Sequence, residues 1–298
     1  MMAPNAVALA PAKINIGLEI TGRRSDGFHN IVSILQTVSL YDRLEWSASQ
    51  GEFRYESPAG IESDEDLTRT ALLSAPDHSD WTGCLRLHKA IPVAAGLGGG
   101  SSDASLALRL ACPDASAESL AGRSTLLGSD VPFFLEGGTS LATGTGAIIE
   151  RLPFLDTWCV IVTPRLVIPN KTRTLYASLK AGDYSDGAVV RCLARAASAH
   201  GTIDECPPNA FTDHLLTYPE IRVARQALQT AGANWVSVSG AGPSLYTLVR
   251  DYRSARAIAN RVPLAAGEIF VARTLPRQHD HLAAKNLARL LHGGLPAR

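Results

Sequence analysis

The chain has no apolar run long enough to span a bilayer, and its opening Met1-Met-Ala-Pro-Asn5 shows no basic region followed by an apolar core. Neither a membrane span nor a secretory leader is expected, and a cytoplasmic protein is. An excess of either charge is also missing. Lys plus Arg equals Asp plus Glu at 28 each, and neither sign gathers into a long block, so duplex nucleic acid and anionic membranes find no electrostatic footprint. A small polar ligand is the expected partner. Cysteine is sparse: Cys84, Cys112, Cys159, Cys192 and Cys206 are odd in number, widely spaced and never arranged as CxxC. That pattern argues against a zinc site or a disulfide framework and suits buried free thiols in a reducing compartment. His279-Asp-His281 has no further Cys or His nearby to complete a metal site and reads as a solvated helix start. Fixed-period repeats and low-complexity tracts are absent as well.

What the chain does have is length and a loop. At 298 residues and 46% hydrophobic content it can fill the cores of two ordinary domains. Its most informative stretch is Gly96-Leu-Gly-Gly-Gly-Ser-Ser-Asp-Ala104, a glycine-dense turn running into a helix-forming segment. Glycine permits positive φ and leaves no Cβ in a ligand's way, while a helix start adds unpaired N–H donors and the positive end of the dipole. An anion, phosphate above all, is the expected guest. The loop is not a Walker A sequence, because no Lys follows the glycines, and it is a poor dinucleotide fingerprint, because Ser101 stands where the third Gly belongs.

Around that loop the pattern predicts strands over 7–20 and 31–46 joined through the turn-rich Thr21-to-Gly27 segment, a polar stretch over 47–60, and a helix over 66–75. A strand over 85–93 leads into the glycine loop, after which Ser101 or Ser102 is expected to cap a helix running to Arg109. A further helix follows Ser116, then Gly128-Ser-Asp-Val-Pro-Phe-Phe-Leu135 and a hairpin around Gly144 to Gly146. The division expected is an N-terminal domain over 1–154 and a C-terminal domain over 155–298. In the second half, Cys159 to Thr163 reads as a buried strand and 172–181, 186–200 and 219–231 as helices. Strand Trp235 to Ser239 then enters a second glycine turn, Gly240-Ala-Gly242, before strand Ser244 to Val249. The apolar spacing of 281–292 predicts a helix packed on the second domain.

Three separated segments carry a resemblance: Pro11-Ala-Lys-Ile-Asn15 leading to Asp26-Gly-Phe-His29, the glycine loop, and Ser239-Gly-Ala-Gly242. Together, in this order, they resemble the motifs of the GHMP small-molecule kinases. The opening PAKINIGLEITGRRSDGFHNIVSILQTVSLYD and the later LGSDVPFFLEGGTSLATGTG look most like the branch that acts on a cytidine diphosphate-linked methylerythritol. The resemblance implies an α+β, two-domain GHMP kinase fold with the active site in the interdomain cleft. It implies transfer of the γ-phosphoryl of ATP to a 2-hydroxyl, with Mg²⁺ bridging phosphate oxygens through few protein ligands, in a monomer or weak homodimer.

By that resemblance Asp130 is the base that accepts the hydroxyl proton, and Lys13 is the cation that pairs with it and neutralises charge on the transferring group. Asn15, two residues along the strand from Lys13, orients the substrate hydroxyls. Phe28 and His29 match the cytosine-binding pair, Phe replacing the commoner Tyr, while Thr172 and Tyr176 match a threonine near the substrate and a second aromatic on the base. For ATP the implied set is the backbone of Gly96, Leu97, Gly98, Gly99, Gly100, Ser101 and Ser102, with Lys89 near the nucleotide. Ser102 is a candidate magnesium contact, Asp103 a first-turn helix charge, and Gly240 and Gly242 are expected to admit substrate or phosphate. Two departures stand out: Asp66 where the family usually carries Asn, and Asn209-Ala-Phe-Thr212 where relatives often show Asn-Asp-Leu-Glu. A homoserine kinase, a silent nucleotide sensor and a dinucleotide oxidoreductase are the competing readings.

Overall fold

The computed structural model describes residues 6–57, 66–75, 80–277 and 281–292. The first strand, β1 (Ala6–Arg23), alternates as a half-buried strand should: Ala8, Ala10, Ala12, Ile14, Ile16, Leu18 and Ile20 are all buried. The polar residues Lys13, Asn15 and Glu19 between them are buried too, so this strand has a second face that is covered without being apolar. It pairs antiparallel with β2 (His29–Glu52), which is long enough to pair also with β4 (Thr82–His88) near one end and β5 (Thr139–Gly144) near the other. β3 (Arg54–Glu56), parallel to β4, and β6 (Ile148–Arg151) complete six strands. The polar stretch over 47–60 is therefore strand over 47–52 and 54–56. Its polar side chains suit an outer part of the sheet, and cross-strand pairing of Ser47 with Cys84 and Glu52 with Thr82 overrides composition. Residues 58–60 lie outside the described residues.

Ten α-helices among the described residues follow as α1 (Leu67–Leu73), α2 (Gly99–Ala111), α3 (Ala117–Leu127), α4 (Val131–Phe134), α5 (Lys171–Ser178), α6 (Ala188–His200), α7 (Thr212–Leu215), α8 (Pro219–Thr230), α9 (Tyr252–Ala259) and α10 (His281–Leu291). Helices α1, α2 and α10 cover one face of the first sheet, burying Leu44, Trp46, Leu85, Leu108, Leu287 and Leu291 together. This corrects the expectation for the last helix. Its apolar stripe was legible, but Leu287 and Leu291 pack on β1 and α2 of the N-terminal half, because a stripe specifies that a helix docks and not where.

The second sheet runs β10 (Glu268–Arg273), β7 (Trp158–Thr163), β9 (Leu245–Val249), β8 (Ser237–Val238), antiparallel throughout. Val160, Val162 and Leu245 bury against Leu175, Leu228 and Ile258 of its helices. Ile14, Ile16 and Ile34 of the first sheet share a core with Ile161, Tyr246 and Ala272 of the second, and Tyr246 donates its hydroxyl to Asn15 O at 2.9 Å. The polar face of β1 is thereby carried to the junction of the two sheets. No helix of the described residues is long and apolar enough to cross a membrane.

Candidate active site

Lys13 and Asn15 share one side of β1, and the side chains meet: Lys13 Nζ donates to Asn15 Oδ1 at 2.6 Å. Asn15 in turn donates to Ser33 Oγ at 2.9 Å, and Ser33 donates to Gly17 O at 2.7 Å, which fixes the amide's orientation. Asp130 reaches the same place from the turn between α3 and α4. It stands immediately before α4, yet its carboxylate makes no capping bond to that helix; Oδ2 lies 3.2 Å from Lys13 Nζ instead. The Lys13 side chain is 5% exposed and the Asp130 side chain 30%, so the cation is covered while the carboxylate opens to solvent.

The glycine loop passes over this pair. Gly98 adopts a left-handed conformation (φ 72), and a Cβ there would come within 2.9 Å of Lys13 Cγ and of Phe134. Lys13 N donates to Leu97 O at 2.8 Å, while the Leu97 side chain is buried in the shared core. Helix α2 starts at Gly99 with Gly98 as a cap that has no side chain to bond its first N–H groups. Ser101 and Ser102 are therefore inside the helix, not caps. The correction is physical: a left-handed glycine can end the loop earlier than any serine, and it leaves the helix start bare for an anion. Ser102 is buried and its hydroxyl has no hydrogen-bond partner among the described residues.

The second glycine turn meets the first. Ser239 Oγ donates to Gly96 O at 2.9 Å and accepts from Asn15 N at 3.2 Å, and a Cβ on Gly96 would lie only 2.2 Å from Ser239 O. Gly240 and Gly242 are both buried. A Cβ on Gly240 would meet Asn15 Oδ1 at 2.9 Å, and one on Gly242 would meet Leu215 at 2.8 Å. Both glycines thus let the second turn pack closely on Asn15, Gly96 and Leu215. Lys171, at the start of α5, donates its ammonium to Ala94 O and Gly242 O and so touches both turns.

Lys89 lies beside the same loop. Its ammonium pairs with Asp42 and, at 2.6 Å, with Asp103 behind the loop, where a Cβ on Gly99 would come within 3.1 Å of it. Burial disfavours that ammonium, but the charges of Asp103 and Asp42 outweigh it and hold Lys89 above the usual lysine range. Asp103 is pushed up to about 8, first by burial and then by Asp42. Asp42 accepts from Ala90 N at 2.6 Å and Ile91 N at 2.8 Å. Lys89 and Asp103 thus brace the strand-to-helix turn from below, and Asp103 lies beyond the first turn of α2. The departure at Asp66 has a similar local reason. Its carboxylate caps α1, accepting from Thr68 N and Arg69 N, and also accepts from Tyr55 at 2.9 Å and Ser57 at 2.6 Å.

At the other end, Phe28 is 64% exposed at the hairpin turn, which rules out ordinary core packing for it. The His29 ring lies 5.0 Å from Tyr176 and 6.1 Å from Tyr184, whose hydroxyl is 3.4 Å from His29 Nε2. Tyr176 packs edge-on against buried Phe211 at 5.0 Å. Asn209 accepts from Phe211 N and donates to Val238 O and Gly240 O, so the departing Asn209-Ala-Phe-Thr212 segment supports both Tyr176 and the second turn. Burial lowers the His29 pKa, with Arg23 adding to it, and burial followed by the Asp130 charge raises that of Tyr176. Thr172 is exposed at the start of α5. Sequence reasoning missed Tyr184 and Lys171. Lys171 left one signal, a cation at a helix start where the dipole disfavours it. His279 and Asp280 lie outside the described residues.

A two-sheet α+β chain with a glycine-capped helix over a Lys–Asp pair is the architecture of a GHMP kinase, and the family described as GHMP kinases C terminal matches residues 194–268. A 4-diphosphocytidyl-2-C-methyl-D-erythritol kinase of Pelotomaculum thermopropionicum is 36% identical over 280 residues, covering 90% of this chain and 97% of that protein. One of Symbiobacterium thermophilum, with the same name, is 36% identical over 282 residues, covering 89% and 98%. A crystal structure of 4-(cytidine 5'-diphospho)-2C-methyl-D-erythritol kinase superposes with a TM-score of 0.75 at 30% identity, covering 90% of this chain and 98% of that one. A homoserine kinase from Cytophaga hutchinsonii shares the fold alone, at a TM-score of 0.63 and 15% identity, covering 93% and 96%. The chain belongs to the 4-diphosphocytidyl-2-C-methyl-D-erythritol kinase family.

Proposed function

We propose that this chain transfers the γ-phosphoryl group of ATP to the 2-hydroxyl of 4-diphosphocytidyl-2-C-methyl-D-erythritol, a step of the non-mevalonate isoprenoid pathway. The observation that carries the reading is the ion pair of Lys13 and Asp130 directly beneath the Gly98 loop. A carboxylate within reach of one cation, beside a bare helix start, has what an alcohol kinase must supply: a proton acceptor, a counter-charge and a phosphate cradle. Asp130 takes the proton from the hydroxyl as its oxygen attacks the γ-phosphorus, and the bond to the β–γ bridging oxygen breaks to release ADP. Lys13 neutralises charge on the transferring group, and Asn15, held by Lys13 and Ser33, orients the acceptor.

The ATP phosphates lie along the main chain from Gly96 to Ser102, with Lys89 acting from behind by fixing the turn. The cytosine end lies against Phe28, His29 and Tyr176, with Tyr184 steadying His29. The cleft is that between the two sheets. Among the described residues no group of three or more His, Cys, Asp or Glu can hold a metal ion by itself. The Ser102 hydroxyl, without a hydrogen-bond partner among the described residues, would be this chain's contact to a magnesium ion, which would supply neutralisation of phosphate charge. The test is a kinase assay on purified protein with ATP and, separately, the diphosphocytidyl alcohol, homoserine and mevalonate. Transfer to the first alone is expected; transfer to homoserine or mevalonate instead overturns the acceptor, and ATP binding without turnover overturns catalysis.

A further inference from the structure

Lys171 is a buried cation that the transfer just described leaves without a role. It is the first residue of α5, directly after Asn170, which adopts a left-handed conformation (φ 48). An ammonium at that position opposes the helix dipole, and at 9% exposure it has also given up most of its hydration. Helix stability therefore does not explain the residue. Its bonds do: Nζ donates to Ala94 O at 2.5 Å and to Gly242 O, carbonyls of two different turns.

Those turns are already in contact through neutral groups, Ser239 Oγ on Gly96 O and Ser244 N on Ala95 O. Lys171 adds the one charged tie between them among the described bonds, and it does so at Ala94, a non-glycine residue held at positive φ (54) two positions before Gly96. A planar trans peptide points the N–H of residue 95 away from the carbonyl of residue 94, so pinning that carbonyl fixes the direction of the next donor as the chain enters the loop. Burial, with the Lys13 ammonium behind it, pushes the Lys171 pKa down to about 8. A cation kept there at such expense, on the helix that also carries Tyr176, is poorly accounted for as a neutral packing contact.

We infer that Lys171 is a positioning residue that holds the phosphate-binding turn in shape by pinning the carbonyls of Ala94 and Gly242, and that it sets affinity for ATP and not for the acceptor alcohol. The inference rests on the reading of Gly96 to Ser102 as the ATP phosphate site. It acts through the turn; no contact with substrate is required of it.

The experiment is calorimetric titration of the full chain with ATP and, separately, with the diphosphocytidyl alcohol, for the wild type, Lys171→Met and Lys171→Arg, together with steady-state kinetics. Loss of a buried charged hydrogen-bond donor is expected to weaken ATP binding in Lys171→Met by about tenfold or more. Affinity for the alcohol and kcat at saturating ATP are expected to stay near wild type, and Lys171→Arg, which can still donate to two carbonyls, recovers part of the loss. If circular dichroism shows Lys171→Met unfolded, Lys171→Gln takes its place under the same criteria. A folded neutral variant that binds ATP as the wild type does, or that loses both ligands equally, overturns the clamp alone. A wild type that does not bind ATP overturns the phosphate reading and the clamp with it.

Discussion

Lys13 Nζ lies 3.2 Å from Asp130 Oδ2, joining a strand near the start of the chain to the residue that precedes the short helix α4. The pair is asymmetric, with the lysine covered and held by Asn15 and the aspartate open to solvent. That asymmetry suits a fixed charge beside a group that must reach an incoming hydroxyl.

Asp130→Asn keeps the size of the side chain and removes the proton acceptor. Its kcat is expected to fall by roughly two to four orders of magnitude while substrate affinity is retained. Lys13→Met is expected to cripple turnover as well, and the double variant to lose less than the product of the two single losses, because groups acting as a unit are not additive. Single-turnover rates for the four proteins check this. Near wild-type turnover in Asp130→Asn at neutral pH removes Asp130 as the base.

Phe28 is exposed where a base can reach its face, and its neighbour His29 is held by Tyr176 and Tyr184. Truncation to Ala is expected to weaken binding of the diphosphocytidyl alcohol by about 1 to 3 kcal/mol, the usual range for one base stacked on one aromatic ring. Phe28→Tyr keeps the ring and is expected to be mild. Calorimetry showing an unchanged affinity for the alanine variant takes Phe28 out of the site.

The loop glycines separate by what surrounds them. A Cβ on Gly96 strikes main-chain oxygen at 2.2 Å, and one on Gly99 meets Ile91 and Lys89 at 3.1 Å, whereas one on Gly100 meets nothing within 4 Å. Gly100→Val is therefore expected to fold with near wild-type thermal stability while raising the dissociation constant for ATP, because its side chain stands at the open helix start. Gly96→Ala is expected to lose folded protein outright. If Gly100→Val binds ATP normally, the phosphates do not approach that end of α2.

Asp66 uses both carboxylate oxygens, one on the first N–H groups of α1 and one on the Tyr55 and Ser57 hydroxyls. Asp66→Ala is expected to destabilise the fold by about 1 to 2 kcal/mol through loss of the cap, more if the orphaned hydroxyls find no water. Asp66→Asn is expected to cost less, since both hydroxyls can turn to accept from the amide. Chemical denaturation of the three proteins measures the difference, and an alanine variant as stable as wild type shows the cap to be dispensable.

The amino-acid sequence by itself determined the parts of this protein that local backbone chemistry controls. The glycine loop, the hairpin of β1 and β2, the turn carrying Asp130 and the second glycine turn were legible because glycine density, alternation and motif spacing act over a few residues. Lys13 and Asp130 were identified by motif, but their contact belongs to the folded chain. Only the tertiary structure decided that Lys89 faces Asp42 and Asp103 behind the loop, that Lys171 ties two turns together, that α10 docks on the N-terminal half, and that Gly240 and Gly242 make room for protein. A charged or apolar side chain announces that it needs a partner, whereas the identity of that partner is set by which distant segments the packed core brings within a few ångströms.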